Sequence, residues 1–212
     1  MSNLPFFKPA IESRDVTNLS QGDIPIVAKT PVWFFRVEIN VDKSGNITFD
    51  YDNAAKEHVN NQEEFDTLIK NAAASKAPTW GPVRGEEGAT PFSIDCVEKC
   101  FFVLILHRGR NWQFSSTKAP FEIETGHEQY YFNATRVDPQ GNSIVGDGQM
   151  SGAKLAYFYG KCDLDRKSHG GGDFKTSFNI YLDLLLYWKE TPQVLPLTVD
   201  PDVGHPGGAT PP

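Results

Sequence analysis

Residues 33–51 read Trp-Phe-Phe-Arg-Val-Glu-Ile-Asn-Val-Asp-Lys-Ser-Gly-Asn-Ile-Thr-Phe-Asp-Tyr, and their two-residue alternation decides the fold class. Phe35, Val37, Ile39 and Val41 are interleaved with Arg36, Glu38 and Asn40. Beyond the polar break, Ile47, Phe49 and Tyr51 alternate with Thr48 and Asp50. A pleated strand points successive side chains to opposite faces, so each run buries one apolar edge of residues on one side. Ser44-Gly45-Asn46 supplies residues that tolerate positive φ where the chain reverses, and the whole stretch predicts a β-hairpin.

The same pattern recurs downstream. Strands are expected over about 92–97, 101–108, 111–114, 121–125, 129–137, 143–145, 155–160, 174–188 and 194–199. Asp138-Pro-Gln-Gly-Asn142 marks a turn between two of them. Residues 101–106, Phe-Phe-Val-Leu-Ile-Leu, lack alternation, which fits either a central strand buried on both faces or the contact edge for a partner. Residues 178–184 alternate again, with Asn179, Tyr181 and Asp183 opposite Phe178, Ile180, Leu182 and Leu184, as in a strand with one core face.

One helix interrupts the strands. Asn61 and Glu64 have capping-box spacing, and Phe65, Leu68, Ile69 and Ala72 follow at helical intervals, giving a stripe that can pack on a sheet. The expected fold is all-β: an antiparallel β-sandwich, immunoglobulin-like or jelly-roll-like, with a helical insertion at about 54–76. An N-terminal arm over 1–30, extended or partly ordered, precedes a single domain over 31–200. Residues 201–212, rich in Gly and Pro, read as a flexible tail.

The 212 residues suffice for one large β domain, and 15 Phe, 7 Tyr and 4 Trp suit broad sheet faces. A net charge of −7 argues against nonspecific nucleic-acid binding and against a polybasic membrane surface. No apolar run approaches the ~20 residues of a spanning helix. With no basic segment leading an apolar run at the N-terminus, a cytoplasmic location is expected. Cys96, Cys100 and Cys162 fit a reducing compartment. On one strand the first two would have Cα atoms about 13 Å apart, too far for a disulfide.

Chemistry is less legible. Asp163, Asp165, His169 and Asp173 on the polar segment 162–173 offer oxygen and nitrogen ligands for a divalent metal. Arg166 and Lys167 put positive charge inside that cage, and the ordinary reading is a solvated Gly-rich loop. No other cofactor is expected. Glu122 and Glu124 share a strand face, as a catalytic carboxylate pair would, yet Phe121 and Ile123 opposite them favour a plain solvent face. His127 has no evident partner. No Gly-x-Ser-x-Gly motif or His-x-x-x-His spacing occurs.

Trp80, in a breaker-rich loop, and Trp112, near Arg108 and Arg110, are the candidate ligand-binding residues, with rings to stack on a sugar or a protein and guanidinium groups to hold an anion. The functional reading is a noncatalytic binding or self-associating protein, with possible homo-oligomer, carbohydrate or protein partners. The alternatives are a carbohydrate-binding module and a metal-dependent or carboxylate-based enzyme near 162–173.

Overall fold

A computed structural model describes residues 13–15, 26–41, 43–44, 47–74, 93–95, 99–107, 111–124, 131–144, 152–160, 174–188, 191–199 and 202–205. These residues are mostly strand. In chain order they form β1 (Ser13–Asp15), β2 (Thr30–Val41), β3 (Ile47–Val59), α1 (Gln62–Ala73), β4 (Ser93–Asp95), β5 (Cys100–His107) and β6 (Trp112–Phe114). There follow β7 (Phe121–Glu124), β8 (Tyr131–Val137), β9 (Ser143–Ile144), β10 (Leu155–Gly160), β11 (Phe174–Trp188), β12 (Thr191–Val199) and β13 (Asp202–His205). The all-β class is as the alternation predicts.

Two sheets result. One has the order β3-β2-β5-β10-β8-β9; the other is organised on β11, which pairs β7 and β6 and also β12 and β13, with β1 beyond β7 and β4 beyond β13. The opening ribbon is the β2–β3 hairpin, with Val37 facing Tyr51 and Val41 facing Ile47. Its alternation sends Phe35, Val37 and Ile39 into one apolar cluster and Val32 and Phe34 into another.

The first cluster draws on both sheets. Phe102, Leu104 and Phe158 from one meet Phe114, Phe121, Phe178 and Leu182 from the other. Phe158 has ring centroids of Phe121 and Phe178 at 4.8 and 5.3 Å, so aromatic contacts join the sheets. Each such ring, fully buried, contributes about 2–3 kcal/mol.

The second cluster lies on the other face of the β2/β5/β10 sheet, where Phe65, Ile69 and Ala72 of α1 pack on Val32, Phe34, Phe101 and Val103. Phe65 sits 4.3 Å from Phe101 between ring centroids and meets Tyr157 edge-on at 5.2 Å. Strand β5 lies between β2 and β10. Its apolar run is therefore interior on both faces and is not an edge for a partner.

Three expectations need correction. The insertion bound of 54 is too early, because β3 continues to Val59, which is buried; the helix itself starts after Asn61, where the capping-box spacing places it. Asn61 is extended, with φ −158° and ψ 173°, and its side chain accepts from Glu64 N at 2.9 Å, which fixes the helix start there. Glu64 accepts in turn from Asn60 N, also at 2.9 Å. A bulge lets β3 run so long, since Phe34 faces Ala55 while Phe35 faces Asn53 and Ala54 is the added residue.

The pairing is also not wholly antiparallel. β2 and β5 run parallel, as do β13 and β4. A parallel neighbour requires the chain to cross back before it pairs, and the route from β3 to β5 includes α1, whose stripe covers the sheet. Finally, Asp202–His205, assigned by composition to the tail, form β13 and pair with β11. Backbone pairing to β11 and β4 supplies what these residues lack in apolar surface.

The turn after β8 is as expected. Asp138 Oδ1 accepts from Gln140 N at 2.9 Å and from Asn142 N at 2.8 Å, and Gly141 takes φ +87°. Desolvation opposes the Asp138 charge, but the bonds from Asn142, Gln140 and Gly141 outweigh it and hold the carboxyl below its ordinary range. A Cβ on Gly141 would stand 2.6 Å from Lys70 Cγ, so this turn abuts α1. Among the described residues no helix is long and apolar enough to cross a membrane.

Candidate functional site

The face of β11 that the alternation assigns to solvent is buried. Asn179, Tyr181 and Asp183 are exposed by 2, 3 and 1 % respectively. The cause is a departure from regular pairing along one edge of β11. β7 pairs with Phe178–Ile180 and β6 with Leu182–Leu184, and between them residues 115–120 leave the ladder. Ser115 N donates to Tyr181 O at 2.9 Å, and Tyr181 N donates to Pro120 O at 3.1 Å, so the excursion spans a single β11 residue.

Asp183 anchors that excursion. Its Oδ2 accepts from Ser116 N and Ser116 Oγ, both at 2.8 Å, and from Gln113 Nε2 at 3.3 Å. Arg136 Nη1 donates to Ser115 O. The peptide joining Ser115 to Ser116 is thus gripped at its carbonyl by a buried cation and at its N–H by a buried anion. Charge-assisted bonds to each end of one peptide dipole are stronger than neutral ones, and they offset part of the cost of burying each charge.

Gln113 Oε1 accepts from Gly152 N at 3.1 Å, which carries the network toward β10. Nearby, Lys154 Nζ donates to Trp112 O at 2.6 Å, and partial burial lowers the pKa of that amine. At the rim, Tyr181 Oη donates to Glu122 Oε2, and Lys118 Nζ stands 4.1 Å from the Tyr181 ring centroid. Chemically this assembly is a structural clamp built on Asp183 Oδ2, while Asp183 Oδ1 and Asn179 Oδ1 are buried beneath the 115–120 segment without a hydrogen bond among the described residues.

A second surface is apolar and open. β11 and β12 form a hairpin pairing from Ile180 and Val199 to Trp188 and Thr191. Toward its tip Leu186, Val194 and Leu195 are 45, 40 and 43 % exposed. Leu184 faces Leu195 and Leu182 faces Leu197, and Leu184 and Leu197 are partly buried against the shared core. An apolar stripe therefore runs from the core out along the hairpin.

Of the residues singled out from the sequence, Trp112 lies within the core at 5 % exposure, so its ring has no open face for a sugar. Glu122 is half-buried and takes the Tyr181 hydroxyl. Glu124 pairs through its backbone with Ser13 of β1. Trp80, Arg108, Arg110, His127, Asp163, Asp165, His169 and Asp173 lie outside the described residues, as do Cys96 and Cys162. Cys100 is buried in the core. Among the described residues no group of His, Cys, Asp or Glu gathers as metal ligands.

Sequence reasoning missed Asp183, Arg136 and the exposed leucines. The one available signal was the short polar run Gln113 to Thr117, broken only by Phe114, lying between two apolar strands. No protein-family model matches the chain, and no curated protein matches it.

Proposed function

We propose that this chain is a noncatalytic binding or self-associating protein whose contact surface is the outer half of the β11–β12 hairpin. The observation that carries the reading is the joint exposure of Leu186 and Leu195 on one face of the paired ribbon, continuing the line of Leu184 and Leu197. Exposed apolar residues scattered singly need no explanation, but neighbours on one face of a hairpin form a patch that gains from being covered.

The finer fold belongs with this proposal: a β-sandwich, immunoglobulin-like or jelly-roll-like, supported by the Phe158, Phe121 and Phe178 contacts between sheets. So does a cytoplasmic setting with a protein partner, a further copy of the chain included. Light scattering on the full chain across a wide concentration range tests it, with Leu186→Glu and Leu195→Glu as the informative changes. Mass above the monomer that falls in the double variant is expected; a strict monomer that also shows no change in partner capture on mutation rejects the surface.

A further inference from the structure

The hairpin's outer strand carries a second pattern, in its prolines. Tyr181 directs both its N–H and its carbonyl toward the β6/β7 side, and Leu185 N donates to Asn111 O at 2.6 Å on that same side. Because a strand directs alternate residues to alternate edges, Ile180, Leu182, Leu184 and Leu186 direct theirs toward β12. Their partners Val199, Leu197, Leu195 and Gln193 bond back. The residues between, Pro192, Val194, Pro196 and Thr198, therefore present their main-chain groups to the outer edge.

Both prolines of β12 fall on that outward set. Neither costs the hairpin a hydrogen bond, and each removes a donor from the open edge and puts a ring carbon where an incoming carbonyl would sit. β13 continues the line of β12 in the same register, since Ser177 faces Asp202 as Ile180 faces Val199. There the outward residues, Asp202 and Gly204, retain their N–H groups, and β4 pairs alongside with Ser93 facing Asp202 and Asp95 facing Gly204. One edge is thus paired where its donors are present and, among the described residues, unpaired where prolines interrupt them.

We infer that Pro192 and Pro196 bar strand addition at the β12 edge, so that the apolar hairpin meets partners through its face and does not template sheet growth. β12 has no charged residue, which is the other usual means of guarding an edge. This holds whether or not the face binds anything, because it concerns the main chain and not the leucines.

Two pairs of full-length variants test it. Pro192→Thr with Pro196→Thr restores two outward donors and is expected to strengthen self-association on the order of tenfold, read by sedimentation and by the infrared band of intermolecular sheet. The Leu186→Glu and Leu195→Glu changes act on the face and leave that gain in place. Separately, Val194→Pro is expected to leave the melting temperature within about 2 °C, whereas Leu195→Pro, one residue on, lowers it by roughly 6–12 °C. A threonine variant that folds and associates no more than the parent overturns the inference. Equal cost from the two introduced prolines overturns it too, and that comparison decides the matter if the threonine variant does not fold.

Discussion

β5 and β11 are both interior strands, yet their second faces are covered in opposite ways. Behind β5, Phe101 and Val103 meet the apolar stripe of α1. Behind β11, Tyr181 and Asp183 meet a polar segment of their own sheet, held by Arg136 and Asp183 at the two ends of one peptide. An apolar cover is nondirectional and tolerates repacking, while a polar cover depends on each donor finding its acceptor. The same degree of burial therefore rests on many small contacts in one strand and on a few specific bonds in the other.

Mutations can break or sharpen that contrast. Phe65→Ala removes the ring that touches both Phe101 and Tyr157 and is expected to cost about 3–5 kcal/mol in denaturant unfolding, with the β11 side unaffected. Next in size is Asp183→Asn. It keeps the shape but removes the charge that holds Ser116, and a loss of about 1–3 kcal/mol is expected. Hydrogen exchange should quicken at the Ser116 amide more than at amides of β5. Equal quickening at both would mean the two covers are not independent.

The smallest effect concerns the turn that abuts α1. The folded-state pKa of Asp138 is depressed, so its contribution is present above the unfolded value and is lost as pH falls through the folded one. Asp138→Asn should therefore lower stability slightly at neutral pH, and the difference from the parent should vanish as pH drops below the ordinary 3.8. Thermal melts across that range provide the check. A difference that persists in acid would assign the effect to shape instead of charge.

The β5 side was readable in advance because each layer leaves a periodic trace. Phe65, Leu68, Ile69 and Ala72 announce a helical stripe, and the unbroken run 101–106 fits either a strand covered on both faces or a partner edge, a choice the pairing of β5 with β2 and β10 decides. The β11 side was not. Alternation at 178–184 says that two faces differ, and it does not say that water reaches the polar one. That outcome depends on residues 115–120 folding over the strand and on Arg136, from the other sheet, meeting their backbone. The early insertion bound of 54 has a local cause: pairing with Phe34 and its neighbours keeps the chain in β3, and the helix begins where the Asn61 and Glu64 capping box marks it. Trp112 was misjudged because a ring beside polar residues in sequence is turned inward by the strand parity that buries Phe114.

The parallel contact of β2 with β5 also sets an order in time. β2 and β3 can close on each other as soon as both exist, since only a short reversal separates them. The opposite side of β2 stays open until Phe101 comes round to Val32, after the helix and a long stretch of chain. Closing so large a loop is slow compared with zipping a hairpin, because chain entropy is spent before contacts return it. During synthesis the ribbon with which the sequence declares its fold therefore waits, half-paired, for residues that have yet to emerge.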